Sequence, residues 1–155
     1  WVVPGGRERQ DSIRNALQAL PAQPHDWVAI HDGARPFLSS SVMESLLACA
    51  PEYDGVLPMV AVKDTIKRVD AAGLIVETLK RPELYAAQTP QLFRFGRILE
   101  AHCQAAADSF VGTDDCSLIE RSGGRIGMVE GDYRNIKVTT PEDLTMAAAW
   151  LGEFE

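Results

Sequence analysis

The chain has 155 residues, 46% of them hydrophobic and 24% charged, enough for one domain with a core of its own. Its formal charge of −7 argues against the basic face that nonspecific nucleic-acid binding needs, and no run comes near the roughly 18 uninterrupted apolar residues of a membrane helix. Cys49, Cys103 and Cys116 are scattered and odd in number, the pattern of reduced thiols in a cytoplasmic protein, and no zinc spacing joins them to a histidine.

Trp1-Val2-Val3 reads as the tail of a strand. With no initiator methionine, charged leader or apolar signal region, the expectation is a chain cut from something longer. Pro4-Gly5-Gly6 turns, and Asp11 or Ser12 caps a helix that presents Ile13, Ala16, Leu17 and Leu20 on one face until Pro21 ends it. Trp27–Ile30 is a short apolar run of the kind buried in a parallel sheet. Ser39–Ser41 opens a second helix with Val42, Leu46 and Leu47 inward. Gly55–Val62 is a long apolar strand whose Pro58 predicts an edge or a bulge. Thr65–Asp70 and Leu74–Leu79 flank the turn Ala71-Ala72-Gly73 and predict a hairpin, residues 63–81 in all. Its first strand has little apolar surface to anchor it, and a lone hairpin is marginal in water, so it is expected to pack on a second subunit. Tyr85–Gln91 returns to the main body. Phe93–Ala107 is predicted helical with Phe95, Ile98, Leu99, His102 and Cys103 inward. Thr113 or Asp114 caps a helix closed by Gly123-Gly124, Ile126–Val129 is a strand, and Ile136–Val138 is a further extended piece. Thr140-Pro141-Glu142-Asp143 starts a last helix that runs to about Leu151. The alternation predicts an α/β sheet fold in a single domain.

The run Ala29-Ile30-His31-Asp32-Gly33-Ala34-Arg35-Pro36 ends an apolar strand in an acid, a glycine and an arginine. In open α/β sheets ligands bind at the carboxyl ends of strands, so Asp32 and Arg35 are candidates to face substrate, and Gly33 lets a ligand approach the backbone. Arg7, Arg9, Arg35, Arg81 and Lys137 all fall outside the helical stripes. Lys137 sits between two apolar residues just before a helix, and Arg81 stands where the hairpin rejoins the body. A lysine and an arginine so placed suit phosphate groups, as a point charge and a bidentate fork. The glycine turn before the first helix offers backbone N–H groups to an anion, although it is neither a Walker A nor a GxGxxG motif. Thr113-Asp114-Asp115 holds paired acids that capping explains better than a metal, and His31 is expected to satisfy a local hydrogen bond. No histidine is placed to activate Ser12, so a hydrolase triad is unsupported.

With these segments in place, the chain resembles the 2-C-methyl-D-erythritol 4-phosphate cytidylyltransferases. The resemblance rests on Gly5–Ser12, His31–Pro36, Val62–Lys67, Arg81, Gln88-Thr89-Pro90-Gln91, Thr113-Asp114-Asp115, Asn135–Thr139 and Pro141–Leu144, which together cover essentially the whole chain in order. It implies a Rossmann-like nucleotidyltransferase sheet with a protruding β-hairpin arm, and a homodimer clasped through that arm. It also implies that an acceptor phosphate attacks the α-phosphorus of CTP in line and releases pyrophosphate, with Mg²⁺ or another divalent cation present. Lys137 and Arg81 match the catalytic contacts to substrate phosphate, and Arg81 and Thr65 reach in from the neighbouring arm. Asp32, Arg35 and Thr89 match acceptor-binding positions, and Gly6, Arg7, Ser12 and Gly33 match positions around cytosine and ribose. No protein metal ligand is matched. The family's glycine-rich loop around the triphosphate should precede Trp1 and is matched by nothing here, so these residues by themselves are expected to be impaired. Two other readings accompany this one: cytidylyl transfer to ribitol 5-phosphate, and a non-catalytic dimerisation module.

Overall fold

A computed structural model describes residues 2–151. In chain order its regular elements are α1 (Arg9–Ala19), β1 (Trp27–Ile30), α2 (Ser40–Cys49), β2 (Gly55–Ala61), β3 (Lys67–Val69), β4 (Ile75–Thr78), β5 (Tyr85–Ala87), β6 (Gln91–Arg94), α3 (Phe95–Ala107), α4 (Asp115–Arg121), β7 (Ile126–Glu130) and α5 (Pro141–Leu151). β2 is the axis of a five-stranded mixed sheet. One of its edges carries β7 in parallel; the other carries β6 antiparallel along Gly55–Val56 and β5 antiparallel along Met59–Ala61. β1 pairs antiparallel with β6, Val28 standing opposite Phe93.

Successive strand residues point to opposite faces, and the core divides accordingly. Leu57 and Phe93 face α1, α3 and α4, where they meet Leu17, Ile98, Ala101 and Ile119. Val56 and Leu92 face α2 and meet Val42, Leu46 and Ala50. The result is a layered α/β domain in which loops at the strand ends converge.

Several expectations are corrected. α1 begins at Arg9, with Glu8 as its cap residue, whose N–H donates to the Asp11 carboxylate over 3.3 Å. Leu17 alone of its expected stripe is fully buried, while Ala16 and Leu20 are exposed. Val2 and Val3 join no strand, and Trp1 lies outside the described residues. β1 pairs antiparallel and not in a parallel array. Phe93 is a strand residue; the helix starts two residues later. Leu47 and Cys103 are exposed, and Ile136–Val138 forms no ladder beyond Val138 N–H to Ala34 O at 2.8 Å.

Pro58 lies at the centre of the sheet and is buried, not at an edge. Its carbonyl accepts from Gln88 N–H at 2.9 Å, so its nitrogen faces the same edge, where the ladder passes from β6 to β5. A missing N–H costs nothing in that gap, which is why a proline is tolerated in a central strand.

β3 and β4 form a separate two-stranded sheet, exposed along its whole length. Gly73 closes its turn at φ +81°, a left-handed conformation that favours glycine. Arg68 pairs with Glu77 at 2.8 Å and Lys67 with Thr78 at 2.6 Å, while Val69, Leu74, Ile75 and Val76 stay open to solvent.

Adjacent leucines in α2 separate packing from composition. Leu46 is 0% exposed and Leu47 49%. Leu46→Ala is expected to cost about 2–5 kcal/mol, and Leu47→Ala less than about 1 kcal/mol, as read from urea unfolding midpoints.

Candidate active site

The site begins where β1 runs out. The Asp32 N–H donates to Thr89 Oγ1 at 3.0 Å, which ties the strand end to the β5–β6 connection. His31 clasps the same turn: its Nε2 lies 3.0 Å from the Arg35 carbonyl, and its Nδ1 lies 3.0 Å from the Thr89 hydroxyl. A carbonyl only accepts, so Nε2 carries the hydrogen. The expected local role of His31 is what the geometry gives it.

A second segment is held against this turn by buried amides. Gln88 donates to the carbonyls of Asp132 at 2.8 Å and Asn135 at 3.3 Å, and Asn135 donates to the Thr89 carbonyl at 2.8 Å. Arg35 donates to the Asn135 carbonyl at 2.7 Å. Lys137 is thus carried between two anchored points, Asn135 and Val138, and its Nζ stands 3.1 Å from Asp32 Oδ2.

Asp32 is the common partner of three cations. Besides Lys137, Arg9 Nε approaches Oδ1 at 3.4 Å and Arg35 Nε approaches Oδ2 at 3.7 Å. Partial burial works against ionisation of Asp32, but Lys137, Arg9 and Arg35 outweigh it and hold its carboxyl below the usual carboxylate range. Burial pulls Arg35 down, with Asp32 acting against it. Burial also opposes the charge on Arg9, yet its two carboxylate partners, Asp115 and Asp32, raise it.

Arg9, Ser12, Ile30, Asp32, Gly33 and Lys137 line a cleft of about 360 Å³. Its lining sets Arg9 and Lys137 against the single carboxylate of Asp32, so the cleft has a local positive excess in an acidic protein and suits an anionic ligand. A larger cavity of about 760 Å³ lies between residues 33–40 and α5. Its walls include Pro36, Phe37, Leu38, Leu144 and Ala147, and the charge cluster around Asp32 is not among them.

Residues 1–153 match the family model described as 2-C-methyl-D-erythritol 4-phosphate cytidylyltransferase. The chain belongs to that family. It is 54% identical over 157 residues to the 2-C-methyl-D-erythritol 4-phosphate cytidylyltransferase of Syntrophotalea carbinolica, covering 99% of this chain and 67% of the relative. Its identity to the enzyme of that name from Geotalea uraniireducens is 51%, covering 97% of this chain and 64% of the relative. Among solved structures, the 4-diphosphocytidyl-2C-methyl-D-erythritol synthase of Anaerococcus prevotii superposes with a TM-score of 0.87 at 33% identity, covering 96% of this chain and 68% of that one. The 2-C-methyl-D-erythritol 4-phosphate cytidylyltransferase of Thermus thermophilus gives 0.85 at 31% identity, covering 95% and 71%. The chain therefore spans about two thirds of the length of these cytidylyltransferases.

Against that family pattern, the structure brings Asp32, Arg35, Gly33, Ser12, Thr89 and Lys137 together. Gly33 faces open space where a Cβ would stand. Ser12 is engaged locally: it accepts from Gly6 N–H at 2.9 Å and donates to the Glu8 carbonyl at 3.3 Å, which folds the glycine turn onto α1. A Cβ on Gly6 would collide with Asp11. Arg7 does not line the Asp32 cleft; it borders a separate groove with Arg14, Phe110 and Val111. Arg81 and Thr65 stand at the root of the arm, Arg81 donating to the Lys63 carbonyl at 3.2 Å, and neither lines the cleft. Asp114 caps α4 by accepting from Ser117 N–H at 2.9 Å, as expected for one of the paired acids.

What the sequence reading did not assign is the partnership behind the cleft. Arg9 belonged to the cationic set without a role, and its Nη2 donates to Asp115 at 2.8 Å. Asp115 is buried and also takes a hydrogen bond from His102 Nε2 at 3.0 Å. An Asp-Asp pair at a helix start signals one cap; nothing in it tells that the second acid turns inward.

Because the folded-state carboxyl of Asp32 is depressed, its stabilising contribution is present above the ordinary aspartate pKa and is lost as pH falls through the depressed value. Lys137→Met is expected to move the Asp32 midpoint upward, towards the ordinary aspartate value, and to shrink the stability lost on acidification. Carboxyl ¹³C titration read beside unfolding curves at several pH values checks both.

Proposed function

We propose that the protein bearing these residues transfers the cytidylyl group of CTP to 2-C-methyl-D-erythritol 4-phosphate and releases pyrophosphate. The observation that carries the reading is the convergence of Lys137, Arg9 and Arg35 on Asp32 at the end of β1, in a chain whose family is defined by that reaction. An oxygen of the acceptor phosphate attacks the α-phosphorus of CTP in line, and the bond to the pyrophosphate leaving group breaks. Such chemistry depends on positioning and charge neutralisation, with little covalent work for side chains. Lys137 neutralises the acceptor phosphate, while Asp32 and Arg35 hold the polyol portion beside Thr89. Gly6, Arg7, Ser12 and Gly33 form the cytosine and ribose side.

Arg81 and Thr65 complete the site from the arm of a second subunit. What supports a homodimer is the exposed apolar surface of the β3–β4 hairpin, at Val69, Leu74, Ile75 and Val76, which a two-stranded ribbon cannot bury alone. The triphosphate loop comes from a glycine-rich segment preceding these residues, as the resemblance implies. The same resemblance implies a divalent cation. In this reading the cation is carried chiefly by the nucleotide's triphosphate, since Mg²⁺ in such sites takes most of its ligands from phosphate and water. No helix among the described residues is long and apolar enough to cross a membrane, and a cytoplasmic location fits three free thiols.

Pyrophosphate release from CTP, Mg²⁺ and methylerythritol phosphate is expected to be negligible for the 155-residue chain and restored when the glycine-rich segment is joined to it. Lys137→Ala in the restored protein is expected to lower kcat/KM by about 10²–10³-fold. Ordinary turnover by the chain alone would overturn the assigned division of labour. A silent, folded restored protein would favour the dimerisation module, and preferred turnover of ribitol 5-phosphate the other acceptor. Sedimentation should give a dimer that Ile75→Asp dissociates.

A further inference from the structure

Behind the cleft lies a chain of polar contacts that the proposed reaction does not itself require. Arg9 is the first residue of α1, and its guanidinium reaches in two directions: Nε towards Asp32 at 3.4 Å, and Nη2 towards Asp115 Oδ2 at 2.8 Å. Asp115 opens α4 and is 1% exposed; its other oxygen accepts from His102 Nε2 at 3.0 Å. His102 is 0% exposed on the core face of α3. Three helices thus meet at one buried carboxylate whose two oxygens are divided between one inward and one outward partner.

We propose that His102 and Asp115 are positioning residues for the transfer reaction: together they fix the Arg9 guanidinium beside Asp32, and so set where Arg9 presents its charge to the substrate. This rests on the functional reading above.

Burying a carboxylate is costly unless it is paired and hydrogen-bonded, and the cation that pairs Asp115 keeps 40% of its side chain exposed, where it also reaches Asp32 in the cleft. Arginine left to itself is a long, rotamer-rich side chain. The clamp removes that freedom beforehand, at the shorter of its two contacts, and leaves the longer contact facing the cleft. The His102 ring is oriented by the same logic. Carboxylate oxygen only accepts, so Nε2 carries the hydrogen, and Nδ1 has no partner in the core. The ring has one polar task, holding Asp115 in the orientation that reaches Arg9. A glutamine carries an N–H donor near the place of Nε2, whereas a leucine fills the space without one.

The test is a double-mutant cycle in the protein joined to its glycine-rich segment, with Arg9 followed by ¹⁵N NMR. Asp115→Asn and His102→Leu are expected to lower kcat/KM by about 10²-fold, the scale of a misplacement near 1 Å. His102→Gln should retain most of the activity. In an Arg9→Ala background the same changes should alter kcat/KM by less than about twofold, because the path to the substrate is already cut. The Arg9 Nε–H resonance should be resolved and slow to exchange in the wild type and His102→Gln, and averaged in Asp115→Asn and His102→Leu. Effects that multiply with Arg9→Ala, or a fall in melting temperature with kcat/KM unchanged, would reduce the pair to a stability element. If the variants fail to fold, the wild-type spectrum decides: a rapidly exchanging Arg9 Nε–H in the folded protein overturns the clamp. If the wild type lacks cytidylyl transfer altogether, the functional reading fails, and the Arg9 resonance still reports whether the clamp exists.

Discussion

The carboxylate of Asp32 gathers three cations from three separate stretches of chain, and the arrangement around it follows from keeping them there. Lys137 comes from the segment after β7, Arg9 from the start of α1 and Arg35 from the turn after β1. Left without a counter-charge, three cations so close would repel one another and swing into solvent. A partly buried carboxylate holds them at ion-pairing range, 3.1 to 3.7 Å, while the cluster keeps a positive excess. A site of that kind is arranged for an anion before one arrives, which is the condition under which electrostatics contribute most to catalysis.

Holding that carboxylate in place requires the sheet. Asp32 is fixed by Thr89, Thr89 follows β5, and β5 and β6 share one edge of β2. The gap between them admits Pro58 in the strand and sends the Gln88 side chain to carry the segment that ends in Lys137. The interruption in the ladder and the placement of the lysine thus have one origin. Through their side-chain amide N–H groups, Gln88 and Asn135 tie both sides of the cleft to a single strand junction.

The arm is built on the opposite principle. Its two strands are exposed throughout and are linked by surface pairs, each of which contributes little in water. Val69, Leu74, Ile75 and Val76 lie open on it with no layer of its own to bury them, whereas the domain proper has two apolar layers around its sheet.

Part of the candidate site was legible from position: the end of an apolar strand marks Asp32 and Arg35, and a lysine caught between apolar residues just before a proline-started helix marks Lys137. Ser12, Gly6 and Thr89 entered only through the family resemblance, because a glycine turn before a helix or a lone threonine signals no ligand by itself. What stayed hidden depends on contacts across long separations. The sequence does not tell that Arg9 reaches Asp115 in another helix, that Leu46 is inward and Leu47 outward, or that Phe93 extends a strand before its helix begins.

Local chemistry determined the starts of α2, α4 and α5, the hairpin and the list of charged candidates by itself, since caps, turns and periodicity act over a few residues. Tertiary structure decided strand direction, the central place of Pro58 and the division of Asp115 between His102 and Arg9. Those outcomes depend on which distant groups meet in the interior, where every buried polar atom competes for a partner and the assembled fold selects which one it finds.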